Sequence, residues 1–136
     1  MKYYLFIYLS TFIIFLAIDM IWLGFVARDY YQTQLGSLLL DKPRLLWAAA
    51  FYLLYAVGIV IFCITPSLKD NSWQHALIMG ALFGFIAYAT YDLTNLATLK
   101  SWSVNLSLVD MIWGAFLTGI TSLSVYGLVS FLFGAK

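Results

Sequence analysis

The chain has 136 residues, of which 64% are hydrophobic and 10% charged, with a net charge of +1 and a mean hydropathy of +0.94. So few charged groups cannot cover a soluble domain, and a near-neutral balance gives nucleic acid nothing to bind, so the sequence reads as an integral membrane protein solvated by lipid. Cys63 is the only cysteine, which excludes an intrachain disulfide and a cysteine metal cluster.

Four apolar runs follow one another, each reading as a transmembrane α-helix. The first extends from about Tyr3 to Ala27 and stops at Arg28-Asp29. It is too long for the apolar core of a signal peptide and has no small-x-small cleavage pattern, so it reads as a retained helix. Arg28 to Arg44 forms the one substantial loop, mixing Tyr30, Tyr31, Leu35, Leu38 and Leu39 with polar residues. A short interfacial helix with those side chains dipping into lipid suits the mixture, and an ordered loop suits it equally. The second run, about Leu45 to Thr65, is followed by Pro66, expected to mark the helix end. The third spans about Trp73 to Leu99 and the fourth about Val104 to Phe133, longer than one crossing requires. Four spans of about 20 residues leave no room for a second module, so residues 1–136 read as one transmembrane domain, an antiparallel four-helix bundle. Strands are excluded because each run far exceeds the roughly 10 alternating residues of a barrel strand.

Three aspartates interrupt these runs. Asp19 and Asp110 open the same tetrapeptide, Asp-Met-Ile-Trp, at 19–22 and 110–113, and Asp92 lies in Tyr91-Asp92-Leu93-Thr94-Asn95. A charged side chain at the bilayer centre costs roughly 2.5 to 3.5 kcal/mol on insertion scales, so an intramembrane acid is read as functional or internally paired. In an antiparallel arrangement Asp19 lies near the end of the first helix, Asp92 near the end of the third and Asp110 near the start of the fourth. At 1.5 Å per residue all three fall roughly 9 to 12 Å below the same membrane face. Helical spacing groups Asp92 with Tyr88 and Asn95, Asp19 with Trp22, and Asp110 with Trp113 and Gly114. The expected binding site is therefore Asp19, Asp92, Asn95 and Asp110 with Tyr88, Tyr91, Trp22 and Trp113.

The seven basic residues, Lys2, Arg28, Lys42, Arg44, Lys69, Lys100 and Lys136, all sit at helix ends or in loops. Three close carboxyls without a cation in their layer cannot all ionise, so a proton or a bound cation is expected among them. Their oxygens would suit a hard cation, but no histidine or cysteine site supports a metal, and nothing calls for a cofactor. His75 belongs to the opposite face. Gly80-x-x-x-Gly84 and Gly114-x-x-x-Thr118-x-x-x-Ser122 are small-residue ladders expected to bring the third and fourth helices together.

The segment GALFGFIAYATYDLTNLATLK from Gly80 to Lys100, followed by Asp110-Met111-Ile112-Trp113-Gly114, resembles the bacterial membrane family called domain of unknown function 2177. The likeness extends to Asp19-Met20-Ile21-Trp22 and to Phe51-Tyr52-Leu53-Leu54-Tyr55. Trp102-Ser103 stands where the family has tryptophan-proline. The resemblance implies a four-helix inner-membrane protein with no established activity to carry over.

These observations lead to an expected acidic pocket that binds a proton or cation together with a lipophilic small molecule, in a transport-like role. Small multidrug-resistance transporters offer an analogy of size, although their membrane carboxylate is a glutamate and this chain has none. A chain this short needs a second copy, a homodimer, to enclose a path. Two rival readings stand beside it: an enzyme acting on a lipid or isoprenoid, with aspartates as acid and base, and a structural subunit in which Asp-x-x-Trp is a packing device. Four basic residues against three weakly favour the long-loop side as cytoplasmic.

Overall fold

The computed structural model describes residues 1–134. Helix α1 (Lys2–Ile21) runs into a π-helical turn, Trp22–Val26, and is followed by the short helix α2 (Arg28–Leu35) and a 3-10 turn, Gly36–Leu38. The second span is α3 (Leu45–Ile59), a π-helical turn Val60–Ile64 and α4 (Thr65–Lys69) in unbroken succession. Helices α5 (Trp73–Thr98) and α6 (Val104–Phe133) complete the chain. Among the described residues there is no strand, and four segments are long and apolar enough to cross a membrane: Lys2–Val26, Leu45–Lys69, Trp73–Thr98 and Val104–Phe133.

Pro66 does not end the second span. The π-helical turn resets the hydrogen-bond pattern just before it, so Pro66 falls in the first turn of α4, where a missing N–H costs nothing. The Ser67 hydroxyl, donating to the Cys63 carbonyl at 2.5 Å, sits beside the same break.

The loop between the first two spans is helical, with Leu38 and Leu39 exposed as an interfacial segment requires. Its tyrosines do not dip into lipid. Tyr30 donates to Asn105 Oδ1 at 2.7 Å and Tyr31 to Asp110 Oδ1 at 2.9 Å, because hydrocarbon has no acceptor to offer a phenol and the bundle does. Ser103 adds a third tie: it caps α6 by accepting from the Leu106 N–H at 3.0 Å and donates to Gln34 Oε1 at 2.5 Å. A proline there could do neither.

The closest pairing in the bundle is α5 on α6. A Cβ on Gly80 would stand 2.6 Å from Ser122 Oγ and 2.8 Å from the Thr118 carbonyl oxygen, and one on Gly84 would overlap the Gly114 carbonyl. Gly114 in turn makes room for the ring of Tyr88. The two ladders thus let backbones touch, the usual substitute for hydrophobic driving force inside lipid. Phe15, Tyr55, Ile59 and Leu117 fill the space between this pair and the other spans.

Candidate acidic site

Asp19, Asp92 and Asp110 are brought together at one end of the bundle, each from a different helix. Asp19, on α1 and 5% exposed, accepts from two neighbours: Tyr52 Oη of α3 at 2.5 Å and Trp113 Nε1 of α6 at 3.1 Å. Asp110, near the start of α6, accepts from Tyr31 at 2.9 Å, and the Tyr31 oxygen accepts from Trp22 Nε1 at 3.2 Å. The indoles of Trp22 and Trp113 stack with centroids 4.2 Å apart and planes 11° from parallel. The two Asp-Met-Ile-Trp motifs therefore exchange partners: the first motif's acid holds the second motif's indole, and the first motif's indole reaches the second motif's acid through Tyr31.

Asp92, on α5, is fully buried, and neither of its oxygens has a hydrogen-bond partner in the protein. The carboxyl of Asp110 lies beside it. A buried polar group without a partner is uncommon enough to require a reason, and two adjacent carboxyls supply one, since a proton or a ligand between them would satisfy both.

In front of these acids lies a cavity of about 460 Å³. Asp19, Asp110, Tyr31 and Tyr52 provide its polar wall, and Tyr88, Trp113 and Ala87 its apolar wall. Leu23, Phe51 and Tyr91, all exposed on the outside of the bundle, form its rim. That volume falls in the range of small-molecule sites. Of the residues expected from sequence, Trp22 stands behind the wall, stacked on Trp113, and Asn95 is half-buried one turn past Asp92, off the cavity. Tyr91 rests edge-on against Trp102 at 5.4 Å.

Two side chains that hydrogen-bond the acids, Tyr52 and Tyr31, are not expected from the sequence. Tyr52 lies seven residues into its helix, hence in the same layer as the acids, and that depth could have revealed it. Tyr31 carried no comparable signal, because its position depends on α2 folding back over the end of the bundle. Burial and the charge of Asp110 push the Tyr31 phenol above its usual 10.0, so it stays a donor throughout the physiological range.

No ion pair joins the three carboxyls to a lysine or arginine among the described residues; His75 Nδ1 pairs with Asp70 Oδ2 at 2.9 Å at the other end of the molecule. Nor do any three His, Cys, Asp or Glu side chains among those residues lie close enough to hold a metal ion. The acids form a chain, Asp19 and Asp110 on the cavity wall with Asp92 behind, instead of a coordination shell.

A family model described as a predicted membrane protein (DUF2177) matches residues 4–127. The chain belongs to that family. No curated protein and no solved structure matches it. Every residue of the acidic site lies within the DUF2177 match, as do both Asp-Met-Ile-Trp motifs and the ladders that join α5 to α6.

Proposed function

We propose that this membrane protein binds, below the surface of the bilayer, a lipophilic small molecule with a cationic head, and exchanges it against a proton in a transport-like cycle. The chemistry of the cavity supports the reading. Its two wall carboxyls receive hydrogen bonds only from neutral phenols and an indole, which orient an acid without cancelling its charge. A third carboxyl stands behind with both oxygens free of partners. Three acids so close in low dielectric require positive charge, and the cavity is where it would enter. A proton held between Asp92 and Asp110 would balance the empty site and leave as the cation arrives. The bacterial plasma membrane, and a second copy of the chain to enclose a path, belong to this same reading.

A membrane enzyme acting on a lipid or isoprenoid is favoured by one observation, the adjacent Asp92 and Asp110 carboxyls, which resemble a general acid and base with Asp110 on the cavity wall and Asp92 behind it. Altered lipid recovered after incubation with the purified protein would select it.

The test uses the stacked indoles as reporters. Tetraphenylphosphonium added to the protein in lipid nanodiscs should quench tryptophan fluorescence saturably and release protons into a weak buffer. Asp19→Asn and Asp110→Asn should each weaken binding about tenfold or more, the usual cost of losing a charged partner. Asp92→Asn should fold but release no proton. Parent-like binding and proton release in all three variants would reduce the acids to packing devices.

A further inference from the structure

The acidic cavity continues along the outside of the bundle. Phe51, on its rim, also lines a second, wholly apolar hollow of about 330 Å³ with Leu54, Gly58, Ile61 and Phe83. Phe62 and Phe83, ring centroids 5.9 Å apart, form the boundary with a third hollow of about 260 Å³ that includes Met79 and Ile86. The three lie in line along the crevice between the second and third spans. That crevice exists because α5 packs most closely against the second span through its later part, Val60–Ile64 and α4, while the earlier part, α3, stands away from it. From Tyr52 to Phe62 the crevice descends roughly 15 Å, past the midpoint of the second span near residue 57.

The crevice thus has carboxyls only at its upper end and hydrocarbon and aromatic groups below. Resting on the cation reading above, we infer that the ligand is a single-tailed amphiphile with an amine or other cationic head, which enters sideways from the lipid between α3 and α5. Its head meets Asp19 and Asp110, and its tail lies down the crevice past Phe51, Ile61, Phe62 and Phe83. Charge complementarity fixes the head, since the layer contains three acids and, among the described residues, no lysine or arginine paired with them. Continuity fixes the tail, since Phe51 on the cavity rim is also the first wall of the apolar hollow. Gly58 lets the Phe83 ring that walls the hollow pack close against α3: a Cβ there would stand 2.8 Å from Phe83 Cζ.

Two long-chain primary amines, one bearing a diazirine beside the nitrogen and the other near the tail end, should be photolysed with the intact protein in nanodiscs and the labelled peptides mapped. The head probe is expected on residues near Tyr52, Tyr88 and Tyr91, and the tail probe on residues 58–62 and 79–86. Ile61→Trp, at a position 55% exposed and so tolerant of bulk, should cut tail labelling of the crevice about tenfold while head labelling remains. Leu54→Trp, at 73% exposed, provides a second obstruction should the first variant express poorly. Tail labels spread evenly over the lipid-facing surfaces of α1 and α6, with head labelling still lost in Asp19→Asn, would overturn the tail site and leave the cation site standing. Head labelling indifferent to Asp19→Asn and Asp110→Asn would overturn both.

Discussion

Tyr31 connects the two tetrapeptide motifs, accepting from the indole of one and donating to the acid of the other. Its phenol is held above the usual 10.0 by burial and by Asp110, so folding favours the protonated form and Tyr31 contributes stability that is complete below about pH 10 and fades as pH rises beyond it. Tyr31→Phe removes the hydroxyl and leaves the ring. Unfolding in mixed micelles should show the variant about 1–3 kcal/mol less stable at neutral pH, the cost of depriving a charged group of its donor. Above pH 10 the difference from the parent should narrow. A gap that stays constant from pH 7 to about pH 11 would mean that the phenol contributes packing alone.

At the level of helices, much was legible because lipid imposes a simple rule: only a long apolar helix satisfies its own backbone there. The four spans, the small-residue contact of α5 with α6 and the common depth of the three acids all follow from counting residues along the chain. What counting could not supply is rotation and partner choice. Helical spacing groups Trp113 with Asp110, yet Trp113 turns to Asp19, because the indole can reach an acceptor on a neighbouring span as readily as one on its own. Pro66 misled for a similar reason, since a local rule about helix ends says nothing of a π-helical turn that relocates the break. The ladder carries its own prediction. Gly84→Leu leaves every acid in place but drives a side chain into the Gly114 carbonyl and Thr118, so it should lower thermal stability by about 1–3 kcal/mol or more, whereas Asp92→Asn should leave the α5–α6 contact intact. Equal melting of Gly84→Leu and the parent would show that this contact contributes little to holding the bundle together.

Across the whole molecule, four antiparallel spans require the loop at 27–44 and the turn at 99–103 to share one face, with residues 1 and 70–72 on the other. The acids then lie within a few turns of the long-loop face, while the apolar crevice below them runs past the midpoint of the second span. Arg28, Lys42, Arg44 and Lys100 flank the first face, against Lys2, Lys69 and Lys136 in sequence at the second, so positive charge favours the first as cytoplasmic. Cysteines placed at Ser37, Ser101 and Lys69, all exposed, can be probed with an impermeant maleimide, and Cys63, fully buried, should stay silent. Replacing Lys69 removes a charge from the less basic side and so cannot reverse the bias. In right-side-out vesicles Lys69→Cys should label at once, and Ser37→Cys and Ser101→Cys only after the membrane is opened. Labelling of Ser37→Cys and Ser101→Cys from opposite sides would break the antiparallel order, and with it the common depth that brings Asp19, Asp92 and Asp110 to one site.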